Sequence, residues 1–195
     1  MTKETIYDEV LMMLNARVDY KSITLAEVAR RCEIGKSTIY EYFASKDEMV
    51  FNSMLYYLNR MIKFFSQGFK ITTYRASMKT FIKAVMITMK ANFWMVMPWT
   101  FLDNYGVYFT EEDEQTISNL LYKSQELILT LFTSICKLGE QEGTLFKLTE
   151  FNINFAYNGI IGELTENIDA EYDIDSDEAK ELMDNLTLAV TKQLN

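Results

Sequence analysis

The sequence of 195 residues contains no histidine, one proline, seven glycines and two cysteines. Without histidine the commonest general base and the commonest metal ligand are missing. Most catalytic triads and zinc sites are therefore excluded or made awkward, and neither enzymatic activity nor a metal or other cofactor is expected. Cys32 and Cys136 lie far apart, each in a helical pattern, and read as buried thiols acting as small hydrophobes. A redox switch is the sharper alternative. So little proline and glycine suits long helices more than a turn-rich β architecture. No run of about 18 uninterrupted apolar residues occurs, which argues against a membrane span. The first ten residues lack a basic region followed by an apolar one, so a signal peptide is not expected and a cytoplasmic location is. Excess positive charge is also missing. Net charge is -9, which counts against casual binding to nucleic acid, where affinity comes mainly from neutralising phosphates. Residues 1–50 hold seven Lys/Arg and nine Asp/Glu. The rest of the deficit lies in residues 51–195, much of it between Glu163 and Asp184.

What is present is apolar: 49% of residues are hydrophobic and 14% aromatic, too much for a disordered chain. The pattern is helical throughout, and an all-α fold is expected. Ile6, Val10, Met13 and Leu14 recur at helical spacing and predict a first helix over about 5–17. Thr24 and Glu27 form a T-x-x-E capping box, with Ile23 and Val28 placed as a hydrophobic staple. Leu25, Val28, Ala29 and Cys32 then make one buried face, with Arg30 and Arg31 outward. Glu33-Ile34-Gly35 breaks the pattern. A short third helix follows from Lys36 to about Phe43, with Ile39 and Phe43 sharing the buried side. Lys36, Ser37, Thr38, Tyr40 and Tyr42 are left toward solvent. Donors and aromatic hydroxyls on a short helix braced by two others are what a major-groove reader needs. Glu41 would repel phosphate, so it is expected to point away or to accept from a base amine. A second capping box, Ser45 with Glu48, opens a fourth helix to about residue 66, and Lys46 near its start could reach a phosphate. Gly35-Lys36-Ser37 imitates the end of a phosphate-binding loop, but the first glycine would fall at Arg30 inside a helix and no strand precedes it.

From about 5 to 60 the chain resembles the DNA-binding domain of the TetR family of transcriptional regulators. Ile34-Gly35-Lys36-Ser37-Thr38-Ile39-Tyr40-Glu41-Tyr42-Phe43-Ala44-Ser45-Lys46-Asp47-Glu48 carries the likeness. It follows the family pattern of a small apolar residue, Lys, a small residue, Thr, an aliphatic, Tyr, any residue, Tyr-Phe, then Ser-Lys-acid-acid. The resemblance implies that Lys36, Ser37, Thr38 and Tyr40 face the major groove, while Thr24, Tyr42 and Lys46 hold phosphates. Two positions depart from the family. Glu33 stands where a glycine often ends the second helix, and Gly35 where a serine often caps the third.

The remainder reads as a larger helical body. The joint is expected at 67–73, a helix over about 74–97 ending near Pro98, and an aromatic, irregular stretch over 99–109. A long helix should open at Thr110 and end at Gly139 as its C-cap. Two last helices are expected over 149–168 and 176–194, the second with Leu182, Leu186 and Val190 inward. The acidic run reads as a solvated face and loop. Phe93, Trp94, Met97, Trp99, Phe101, Tyr105 and Tyr108 form an aromatic and methionine cluster. It is either plain core or a pocket for a flat or oily ligand, with Asn104, Gln125 and Asn158 as polar anchors.

The boundaries that follow are 1–48 for a three-helix helix-turn-helix DNA-binding domain and 49–195 for a helical ligand-binding and dimerisation domain, joined through the helix at 45–66. Family likeness beyond residue 60 is architectural. It implies a homodimer through the helices at 149–168 and 176–194, and Ala156, Gly159 and Ile160 would permit their close approach. It also implies double-stranded DNA with a palindromic operator as partner, an unidentified small-molecule effector, and repression more than activation. Two rivals are a regulator controlled by a protein partner in place of a small ligand, and an enzyme using the carboxylates and tyrosines of the body.

Overall fold

A computed structural model of the chain describes residues 2–16, 18, 20–91, 109–169 and 171–195. Among these residues the secondary structure is helical, without strands: α1 Lys3–Asn15, a 3-10 turn Tyr20–Ser22, α2 Leu25–Arg31, α3 Lys36–Tyr42, α4 Lys46–Gln67, α5 Tyr74–Ala91, α6 Glu111–Gln141, α7 Glu150–Asn167 and α8 Asp177–Gln193. This is the expected all-α architecture. No helix of the described residues is long and apolar enough to cross a membrane. The chain divides into two compact units. One comprises the residues up to Ile62 and the described part of the stretch ending at Ser124; the other comprises Lys63–Ala91 and Gln125–Asn195.

Several helix starts follow from side-chain caps. The hydroxyls of Thr24, Thr149 and Ser176 accept from the backbone N–H three residues on, at 3.1 Å in each case, and each such cap stabilises by about 1 kcal/mol. Ser45 does the same for α4, accepting from the Glu48 N–H at 3.0 Å, and the Glu48 carboxylate reaches back to the Ala44 N–H at 2.7 Å. That box closes in both directions. The one at Thr24 closes only halfway, because Glu27 turns its carboxylate forward to Arg30 and Arg31.

In the first unit α2 packs against both α1 and α3. Ile6, Val10, Ile23, Val28, Ile39, Val50 and Met54 are fully buried there and Phe43 nearly so, and each such side chain stabilises by about 1.5–3 kcal/mol relative to exposure. In the second unit α5 packs on α7 and α8. Phe81 stands 5.5 Å from Phe132, and Phe132 stands 5.7 Å from Tyr157. On α8 it is Met183, not Leu182, that joins Leu186 and Val190 in the buried set. Cys136 is buried and Cys32 half-buried, and neither is in a disulfide. Burial pushes the Cys136 thiol up to about 12.

The long helix runs past the expected cap. Gly139 lies inside α6, which ends at Gln141, and Gly143 takes the left-handed conformation beyond it at φ 69°. The Thr144 N–H bonds the Gly139 carbonyl at 2.8 Å and the Gly143 N–H bonds the Glu140 carbonyl at 3.0 Å, which is the Schellman closure. Gly139 is a glycine for packing. A Cβ there would lie 2.8 Å from both a Leu145 methyl and the Tyr74 ring. The acidic run is likewise only partly a solvated face. Lys83 pairs with Asp175 at 2.6 Å, Lys79 pairs with Asp184, and Lys90 donates to the Tyr172 carbonyl at 2.7 Å.

Candidate nucleic-acid interface

The candidate interface is built on α3, seven residues long. Its orientation is set by the turn before it. The chain leaves α2 through Glu33 at φ 56°, with the Ile34 N–H on the Ala29 carbonyl at 2.9 Å and the Glu33 N–H on the Arg30 carbonyl at 3.2 Å. A side chain other than glycine in the left-handed region costs about 1 kcal/mol, as expected for this departure from the family pattern. Gly35 then occupies the N-cap with no side-chain hydrogen bond. A Cβ at Gly35 would meet Ser37 Oγ at 3.5 Å, an ordinary contact, so a serine would fit.

Ile39 is fully buried and Phe43 is 2% exposed. Four residues apart, they lie on one side of the helix. Lys36, Ser37, Tyr40 and Glu41 are exposed, while Thr38 and Tyr42 are half-buried. The five expected positions of α3 therefore stand clear of the core to different degrees, with Tyr40 at 57% exposure. The Lys3 ammonium sits 5.5 Å from the centroid of the Tyr42 ring, so Tyr42 packs as well as presenting its hydroxyl. Thr24 is exposed and already occupied as the cap of α2.

Lys46 is more constrained than a solvated lysine. Its ammonium lies 3.8 Å from the centroid of the Tyr20 ring and donates to the Tyr20 carbonyl at 3.3 Å. The Tyr20 hydroxyl in turn donates to Asp47. Burial first, then this bond, pushes the Tyr20 phenol well above its ordinary value. Nothing in the local pattern announces Tyr20; it reaches Lys46 across 26 residues.

Several other charges of the unit are locally neutralised. Glu27 accepts from Arg30 at 2.8 and 2.7 Å and from Arg31 at 3.0 Å, and Arg31 also donates to Glu9 at 3.1 Å. Hydrogen bonds from Arg30 and then Arg31 hold the Glu27 carboxyl down to about 2. Arg60 pairs with Asp8 at 3.0 Å. Lys36 carries neither an ion pair nor a hydrogen bond among the described residues.

Of the residues expected to line a ligand pocket, Phe93, Met97, Trp99, Phe101 and Tyr105 lie outside the described residues, as do Trp94, Asn104 and Tyr108. Gln125 and Asn158 are exposed.

Residues 9–52, which run from α1 to the start of α4, match the family described as bacterial regulatory proteins, tetR family. An uncharacterized HTH-type transcriptional regulator of Bacillus subtilis, YuxN, is 33% identical over 58 residues, which cover 30% of this chain. The match spans only about a fifth of that relative's length. Solved structures share the fold, two of them regulators described by name. The TetR family transcriptional regulator PfmR from Thermus thermophilus has a TM-score of 0.65 at 15% identity, over 97% of this chain and 98% of that one. The regulator FadR from Bacillus subtilis, solved in complex with stearoyl-CoA, has a TM-score of 0.56 at 16% identity, over 97% of this chain and 96% of that one. The N-terminal helices thus match the tetR family of bacterial regulatory proteins in sequence, and along nearly its whole length the chain shares the fold of a solved TetR family regulator.

Proposed function

We propose that this protein is a cytoplasmic, homodimeric, sequence-specific DNA-binding repressor that a small hydrophobic or aromatic effector releases from a palindromic operator. The observation that carries the reading is the α3 surface. Ile39 and Phe43 anchor one side in the core, and the rest of the helix surface carries exposed Lys36, Ser37 and Tyr40. In this reading Lys36, Ser37, Thr38 and Tyr40 face base edges, while Thr24, Tyr42 and Lys46 contact phosphates. The DNA-binding domain comprises residues 1–48, and residues 49–195 form the body that binds effector and partner.

A twofold partner is supported by the outer face of α7 and α8. Phe151 and Phe155 are 73% and 58% exposed, and their rings stack at 6.3 Å. Beside them lies an apolar groove of about 210 Å³ lined in part by Ala156, Gly159, Ile160, Leu186 and Val190. An added Cβ at Gly159 would meet nothing within 4 Å, so a second helix can approach closely. The effector's class is an inference from fold. The FadR structure holds an acyl-CoA, and the aromatic cluster of residues 93–108 is this chain's own apolar candidate. An effector can act only through unequal affinity for the two half-site spacings.

Selection of binding sites from random DNA tests the proposal. The expected product is a palindrome with half-sites one helical turn, about 34–36 Å, apart. Tyr42→Ala and Lys46→Ala should weaken binding to all sequences, with a shallower salt dependence for the lysine. Lys36→Ala and Thr38→Ala should alter sequence preference. Operator binding left unchanged in all four variants would remove the proposed face.

A further inference from the structure

The outward face of α3 is centred on a negative charge. With 3.6 residues per turn, a residue two positions from Ile39 lies about half a turn away from it. Ser37 and Glu41 both satisfy this, and they stand four apart, one above the other. Both are exposed, directly opposite the buried Ile39 and Phe43. A helix that docks through the side away from its core cannot turn Glu41 aside.

Most of the neighbouring carboxylates have partners; among the described residues Glu4 and Glu33 do not, and neither lies on α3. Glu27 is held by Arg30 and Arg31, Glu9 by Arg31, Asp8 by Arg60, Asp47 by the Tyr20 hydroxyl and Glu48 by the Ala44 N–H. Glu41 has no ion pair or hydrogen bond among the described residues. A bare carboxylate between two rows of phosphates is repelled at every site that gives it nothing, so its presence disfavours binding at random.

Resting on the DNA-binding reading, we infer that Glu41 is a specificity-determining residue that accepts a hydrogen bond from the N4 amine of one cytosine in each half-site. An ionised carboxylate only accepts. In the major groove guanine offers its N7 and O6 acceptors, and thymine offers an acceptor and a methyl group. Adenine sets its amine beside the N7 acceptor, which opposes the second carboxylate oxygen. Cytosine alone of the four offers a donor without an acceptor of its own on that edge. Ser37, one turn before Glu41, is placed to read the adjacent position with either hydrogen-bonding sense.

The experiment is parallel site selection from random double-stranded DNA with the full-length wild type, Glu41→Ala and Glu41→Gln, alongside affinity for a DNA of unrelated sequence. Wild type should require cytosine at one position of each half-site. Glu41→Ala should flatten that position alone, lowering discrimination there by roughly 10-fold, and should bind unrelated DNA roughly 3-fold more tightly. Glu41→Gln should move the preference at that position toward adenine, the base whose amine and N7 match an amide. Thermal unfolding of both variants should match wild type, because the side chain is exposed. Identical site preferences for wild type and Glu41→Ala would overturn the assignment while leaving the reader intact. Loss of preference at a position that is not cytosine would overturn it too. A wild type that enriches no site would bring down the DNA-binding reading and this inference together.

Discussion

The two units each contain a helix closed by the same backbone motif, at opposite conformational cost. At the end of α2, Ile34 and Glu33 donate to the Ala29 and Arg30 carbonyls; at the end of α6, Thr144 and Gly143 donate to the Gly139 and Glu140 carbonyls. The residue that must turn left-handed is Glu33 at φ 56° in the first case and Gly143 at φ 69° in the second. The body uses the residue that suits the geometry, and the motif does not. The turn that aims α3 is thus held by its surroundings: by the buried Val28, Ala29 and Ile39, and by the pairing of Glu27 with the arginines of α2. Strain at that position is tolerated because the packing over-determines it.

If packing holds the motif, removing its anchor should have the largest effect. Phe43→Ala should cost about 3–5 kcal/mol, read as an earlier midpoint in urea unfolding, and should abolish operator binding with it. A cost below about 1 kcal/mol would show that the turn orients α3 without the core. In the body the sharpest test is the glycine that packs where it was expected to cap. Gly139→Ala puts a Cβ within 2.8 Å of Leu145 and Tyr74, so overpacking should cost about 1–3 kcal/mol. Gly162→Ala in α7, where the added Cβ meets nothing within 4 Å, should instead gain about 0.5–1 kcal/mol in calorimetry of the same protein.

The contrast between the units also explains what was legible in the sequence. Helix starts were, because Thr24, Ser45, Thr149 and Ser176 each act on an amide three residues away. So was the left-handed end of α2, since the departure at Glu33 is a local anomaly. Contacts between distant segments were not. Lys46 reads as a free cation until Tyr20 is placed under it, and the acidic run reads as solvated until Lys79, Lys83 and Lys90 of α5 are placed beside it. Gly139 and Gly143 are indistinguishable in composition. Only the nearness of Tyr74, 65 positions earlier, tells which one packs. The expected pocket depends on the same kind of distant convergence, and its two described anchors, Gln125 and Asn158, both face outward. The helix α3 lies between these extremes. Its period of apolar residues showed that Ile39 and Phe43 point inward, and the same period, followed round, puts Glu41 outward.

Changing the left-handed residues themselves gives a smaller effect of opposite sign in the two units. Glu33→Gly should raise stability by up to about 1 kcal/mol, because relief of the φ 56° strain exceeds the entropy that glycine adds to the unfolded chain. Gly143→Ala should lose about the same amount. Equal and opposite shifts in thermal midpoint would sharpen the comparison, and no gain from Glu33→Gly would break it.

The smallest effect expected is at the arginine cluster that braces the strained turn. The Glu27 carboxyl is held down to about 2 by Arg30 and then Arg31. Its folded value lies below its unfolded one, so its contribution is complete above the unfolded value, near 4.5, and is lost as the pH falls toward 2. The Glu27 side chain is about 30% exposed and its arginine partners more so, so the pairs are screened by salt and the contribution is modest. Glu27→Gln should therefore lower the unfolding midpoint slightly at neutral pH and low salt, and the gap to wild type should close on acidification from about 4.5 downward. It should also close at neutral pH in about 1 M salt, where the Debye length falls to about 3 Å. A gap that survives both treatments would mean that Glu27 supports the turn through its hydrogen-bond geometry, which glutamine keeps only in part, and not through charge.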